Sequence, residues 1–172
     1  MFRAVCFAIA LFVSGAGTAQ ARQPEMADVW NGAEIDWRDI KSGIYEAAKS
    51  GKTAVMVFHA TWCSACKQYR RVFKDPGVVA ASKNFVMILV DADADKMANG
   101  AFAPDGTYVP RTLFLNSDGD VLKAYVGKDP KFPHTIDNED PAELRTLMQR
   151  AAADRGGDPA ARDGASEVKT SD

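Results

Sequence analysis

The chain has 172 residues, 47% of them hydrophobic and 26% charged, which is one domain's worth of sequence able to bury its own core. Its formal net charge is −2 and no basic stripe runs through it, so nucleic acid is excluded as a partner.

Residues 1–21 read as a secretory signal: Arg3 supplies the positive charge, Ala4–Val13 is apolar, and Ala19-Gln20-Ala21 is a small-x-small cleavage pattern. The apolar core falls well short of the ~20 residues that a bilayer span needs, so cleavage after Ala21 is expected, leaving no stable membrane span. Cys6 leaves with it. A polar lead-in follows at 22–32, a folded domain at 33–153, and a tail at 154–172 whose Gly, Asp, Ala and Ser content predicts disorder.

Within the domain, Asp36 is placed to cap a helix over Trp37–Lys49, with Trp37, Ile40, Ile44, Ala47 and Ala48 at helical spacing and Gly51 ending it. Thr53–Ala60 is a short apolar, β-branched run of the kind that forms a strand covered on both faces. A helix starts near Cys63, carries Lys67, Arg70 and Arg71 on one side, and is broken at Asp75-Pro76-Gly77 before a shorter turn over Val78–Ser82. Phe85–Val90 is a second buried strand, and Asp91–Gly106 reads as irregular with at most one helical turn. Arg111–Asn116 and Val121–Tyr125 flank Ser117-Asp118-Gly119-Asp120, which predicts a hairpin. Asp140, Pro141 and Glu143 open a last helix that buries Leu144, Leu147, Met148 and Ala151.

Loss of the signal leaves Cys63 and Cys66 as the remaining thiols in a chain sent to an oxidising compartment, where within one molecule they can pair only with each other. A bridge closing so small a loop removes little entropy from the unfolded chain. Chemistry therefore explains the pair better than stabilisation does.

The element order, with Trp62-Cys63-Ser64-Ala65-Cys66 at a strand-to-helix junction and Val109-Pro110 ahead of the hairpin, resembles the thioredoxin superfamily. In order and spacing, IDWRDIKSGIYEAAKSGK, VFHATWCSACK, NFVMILVDADAD and FAPDGTYVPRTLFLNSDGDVL are similar to the small thioredoxin-like proteins of the endoplasmic reticulum allied to the anterior-gradient group, over Ile35–Val126. The C-terminal domain of the bacterial transmembrane thiol reductase is similar over Val55–Asp91. The resemblance implies an α/β thioredoxin-like fold, a central mixed sheet with flanking helices. It also implies a cis bond before Pro110 and exposure of the Val109 backbone to an extended client segment. Trp62 is expected to shield one flank of the dithiol, or else to be a core tryptophan.

A thiol at a helix N-terminus is stabilised as the anion, which predicts that Cys63 ionises below the ordinary value of about 8.5, within ~3.5 to 7.5. Cys66, one turn further in, is then expected beneath Cys63, less solvated and poised to attack a mixed disulfide formed by Cys63, and its spacing suits closure of a Cys63–Cys66 disulfide. Against the family pattern, Val57 stands where thioredoxins commonly hold a buried Asp, Met87 where a lysine is usual, and Arg111 where threonine follows the proline. The chain also ends without an acidic retrieval motif, which favours a bacterial periplasm over the endoplasmic reticulum lumen or secretion.

Zinc would need four ligands from Cys63, Cys66, His59 and His134, and the histidines lack paired spacing. Haem attachment fails because Lys67 follows Cys66 where His is required. Asp91, Asp93 and Asp95 start like a calcium loop, but Lys96 and Phe102 occupy the positions of its Gly and Glu. His59, at the end of a buried strand, reads first as a core histidine and second as a group tuning Cys63. No metal or cofactor is expected. The expected function is an exported protein thiol–disulfide oxidoreductase with Cys63 as nucleophile and Cys66 as resolver. Trp62, Val109 and Pro110 would contact the client. Its partners would be protein thiols and disulfides and an unidentified electron-exchange partner. The alternatives are a redox-sensitive chaperone or binding module without turnover, and a copper-handling protein.

Overall fold

The computed structural model describes residues 23–154, so the expected signal at 1–21 and all but the first residue of the expected tail lie outside it. Four strands, β1 (Trp37–Arg38), β2 (Ala54–His59), β3 (Val86–Asp91) and β4 (Arg111–Leu115), form one sheet in the order β1-β3-β2-β4. β3 pairs in parallel with both β1 and β2, while β4 runs antiparallel to β2. All six residues of β2 are buried, as its continuous apolar run requires of a strand covered on both faces.

Alternation along the strands sorts the core into two layers. Val55, Val57, Met87, Leu89 and Phe114 face α2 (Ser64–Tyr69), α3 (Pro76–Ser82) and α5 (Pro141–Asp154). Ala54, Met56, Phe58, Ile88 and Leu113 face α1 (Ile40–Ser50) and α4 (Lys96–Ala101).

The first helix starts three residues later than the apolar spacing predicts. Asp39, not Asp36, is its cap, accepting the Ser42 N–H at 3.0 Å, and Trp37 belongs to β1 beside Met87. Trp37 packs in the layer opposite α1, against Phe73, with its indole N–H donating to the Trp30 carbonyl at 2.7 Å. It therefore cannot share α1's buried face. Segment 22–32 also does more than lead in: Ala27–Trp30 is a 3-10 turn, and Trp30 is 1% exposed at the centre of a cluster with Trp37, Tyr69 and Phe73.

The expected second hairpin strand is reduced to a single bridge, Leu115 with Val121. After Leu122 the chain turns inward, with the Tyr125 N–H on the Leu122 carbonyl, and the Tyr125 ring lies against Phe114 at 5.3 Å. Burying that ring ends the pairing. The stretch after β3 holds a defined helix, α4, capped by Asp95 through the Ala98 N–H. At the other end α5 runs through Asp154, whose carboxylate accepts the Tyr125 hydroxyl at 2.7 Å.

Candidate active site

Because β2 and β3 are parallel and β4 returns antiparallel, the end of β2, the loop after β3 and the turn before β4 meet at one edge of the sheet. That edge, beyond the carboxyl ends of the parallel strands, is where α/β sheets present reactive groups. The sequence places Trp62-Cys63-Ser64-Ala65-Cys66, Asp91–Asp95 and Val109-Pro110 there.

Cys63 and Cys66 are joined in a disulfide, with their Cα atoms 5.2 Å apart. Cys63 is the N-cap of α2, and its Sγ accepts the Cys66 N–H at 3.0 Å. The same sulfur lies 3.7 Å from the Val109 carbonyl oxygen, and the Val109–Pro110 peptide bond is cis. The two cysteines are almost equally covered, at 4% and 3% exposure, so burial does not rank them. Surroundings do. Cys63 faces the Val109 turn, whereas Cys66 lines a small recess against His59. The Tyr69 hydroxyl, 2.8 Å from the Thr112 hydroxyl, ties α2 to β4 and so fixes the cysteines relative to Pro110.

Trp62 is not a core tryptophan: it is 68% exposed, and its indole N–H donates to Asp93 at 2.6 Å. Asp93 is itself fixed by an Asx turn in which Asp91 accepts the N–H groups of Asp93 and Ala94. The three aspartates that imitate a calcium loop thus serve as turn, tether and helix cap. Reading Asp91–Gly106 as irregular missed the tether, which only the pairing of β2 with β3 brings next to Trp62.

Arg111 was legible only as a departure from the family pattern. It is fully buried, and its guanidinium donates to the carbonyls of Asn99, Phe102 and Tyr108 and to the Asn99 side chain while lying 4.2 Å over the Phe58 ring. Burial pulls its pKa down. It therefore braces the loop leading to Val109 and Pro110. His134 is remote from His59 in its contacts: its Nδ1 is 2.9 Å from Asp105, and Thr135 donates to the Pro110 carbonyl at 3.0 Å. Among the described residues, no three His, Cys, Asp or Glu side chains converge to hold a metal ion. Lys67 and Arg71 are exposed and Arg70 is half-buried.

A family model described as thioredoxin-like matches residues 36–117, just under half of the chain. Anterior gradient protein 3 of Xenopus tropicalis is 27% identical over 136 residues, which cover 77% of this chain and 80% of that protein. A thioredoxin from Thermus thermophilus superposes with a TM-score of 0.59 at 18% identity, covering 80% of this chain and 99% of its own. A disulphide isomerase from Xylella fastidiosa Temecula1 gives a TM-score of 0.51 at 19% identity, covering 77% and 98%. At such identities the two solved structures speak to the fold alone. Strand order, helices on both faces of the sheet and the family match agree: the chain has a thioredoxin-like fold, and residues 36–117 match the thioredoxin-like family model.

Proposed function

We propose that the chain is an exported thiol–disulfide oxidoreductase acting on protein clients, with Cys63 as the attacking sulfur and Cys66 as the resolving one. The observation that carries this reading is the Cys63–Cys66 disulfide at the start of α2, with the Val109 carbonyl 3.7 Å from Cys63 Sγ. In the reduced protein the Cys63 thiolate attacks a client disulfide. A bond forms between Cys63 and one client sulfur, and the other client sulfur leaves as a thiolate. Cys66 then attacks Cys63 Sγ, the Cys63–Cys66 bond re-forms, and the client departs with two electrons and, once protonated, two thiols. The reverse sequence oxidises a client dithiol, and the direction follows the potential of the redox partner.

The Cys66 N–H aimed at Cys63 Sγ favours the charged form of that sulfur. The half-buried Val109 offers its backbone to an extended client segment as an added strand, with Pro110 buried behind it. Trp62, tethered to Asp93, supplies an exposed apolar flank. Export rests on the signal-like residues 1–21, and the periplasm is the favoured compartment, with the endoplasmic reticulum lumen or secretion as alternatives. No helix among the described residues is long and apolar enough to cross a membrane.

Cys66→Ser tests the reading. The variant is expected to accumulate client adducts that non-reducing gels resolve and dithiothreitol dissolves, and these should vanish when Cys63 is also replaced. A binding module without turnover would instead hold the same ligands, unaffected by either change.

A further inference from the structure

Alternation along β2 puts Val55, Val57 and His59 on the α2 side of the sheet, and the Trp30 ring against His59 at 5.3 Å confirms that side. Val57 cannot accept a proton; His59, two residues further along the same face, can. His59 is 3% exposed, and it lines a recess of about 30 Å³ together with Cys66. That recess has room for a single water molecule.

We propose that His59 takes the proton of Cys66, through a water in this recess, when Cys66 resolves the mixed disulfide. The role rests on the exchange reading above and assigns its second step a proton acceptor. The Cys66 S–H bond breaks and its proton passes by way of the water to the imidazole. The sulfur's electron pair then forms the bond to Cys63, while the client sulfur leaves with the pair of the broken bond and is protonated from solvent. In the opposite direction the imidazolium returns the proton to the Cys66 thiolate as it is expelled.

The charged groups facing His59 are Asp91, its register partner on β3, with Lys67 from α2 and Arg70 just after it, which line the same recess; the N-terminal segment contributes Met26 and Trp30, without charge. Burial lowers the pKa of His59, with the Asp91 charge opposing, so the imidazole is neutral and able to accept at pH 7. The two cations bordering the recess favour a thiolate at Cys66.

Reaction of the reduced protein with Ellman's reagent separates the two steps, because one thionitrobenzoate is released when Cys63 attacks and a second when Cys66 resolves. In His59→Gln the first phase is expected to be unchanged. The second should slow by about tenfold or more at pH 7, and recover toward the wild-type rate above about pH 8.5, where a thiol ionises unaided. A structural role alone would slow both phases at every pH. On the unmodified protein, the His59 ring should titrate by NMR with different midpoints in the oxidised and reduced states, since only the reduced state carries the Cys66 thiol. Wild type showing both phases while His59→Gln keeps its pH profile would remove the His59 role alone, as would identical midpoints. Wild type releasing no second thionitrobenzoate would remove the exchange reading, and this role with it.

Discussion

Arg111 shows how a single side chain shapes the site without touching a sulfur. Its acceptors are three backbone carbonyls and one amide oxygen, all on the segment between α4 and β4 or at the end of α4. Arg111→Met would leave several of these half-buried acceptors without a donor, at a cost of about 2 kcal/mol, as a lower urea midpoint with an unchanged slope would show. Lysine should not rescue the loss, because one ammonium cannot span acceptors that a planar five-donor fork reaches. A midpoint at the wild-type value in either variant would contradict the bracing role. None of this was legible in the sequence beyond an arginine where the family has threonine, since its partners at Asn99, Phe102 and Tyr108 lie in a stretch without periodicity. The Cys63–Cys66 disulfide at the start of α2 was legible, because two thiols three residues apart where a buried strand gives way to a helix are a purely local pattern.

At the scale of elements, α1 can sit close to the sheet because Gly43 has no side chain. A Cβ there would come within 2.4 Å of Ile88 Cγ1 and 2.7 Å of Ile88 Cδ1, both buried. Gly43→Ala is expected to destabilise by about 1 to 3 kcal/mol, and a thermal melt at the wild-type temperature would show that α1 shifts freely instead. β2 and β3 were readable as apolar runs, and α5 from Asp140, Pro141 and Glu143, because burial on two faces and helix capping write themselves locally. Asp75 likewise caps α3 through the Val78 N–H, so the stretch read as a breaker begins a helix. β1 was not readable: two residues carry no period, and Trp37 fits the helical spacing of Ile40 and Ile44 equally well. The strand expected over Val121–Tyr125 failed because alternation says nothing of a tyrosine drawn into the core by Phe114 and Asp154.

For the whole molecule, the ionisable groups make acid unfavourable to the fold in two windows. Burial lowers His59, so below its ordinary value of about 6.5 the unfolded chain takes up a proton that the folded chain resists, and stability falls until the folded imidazole also protonates. Three carboxylates are held below the usual range. Asp36 is lowered by the hydrogen bond from Arg38; for Asp39 burial is the largest single influence and opposes the shift, but the hydrogen bonds from Ser42, Lys41 and its own N–H together lower it. Asp137 is lowered by the N–H groups of Asp140 and Glu139. Their contribution is present above about pH 3.9 and is lost as pH falls through their lower folded values. Melting temperature should therefore decline in both windows on acidification, with the upper decline missing in His59→Gln; a rise between pH 7 and 5 would contradict this. The fold class was legible because helices and strands alternate in the right order, whereas the incorporation of Ala27–Trp30 into the core depends on contacts that only the folded chain assembles. The claim on which the function turns is that Cys63 reacts as a stabilised thiolate. Its rate of alkylation by iodoacetamide in the fully reduced protein, followed against pH with the modified residue identified by mass, should inflect well below the ordinary thiol value of about 8.5, with Cys66 lagging. An inflection for Cys63 at that ordinary value would contradict it.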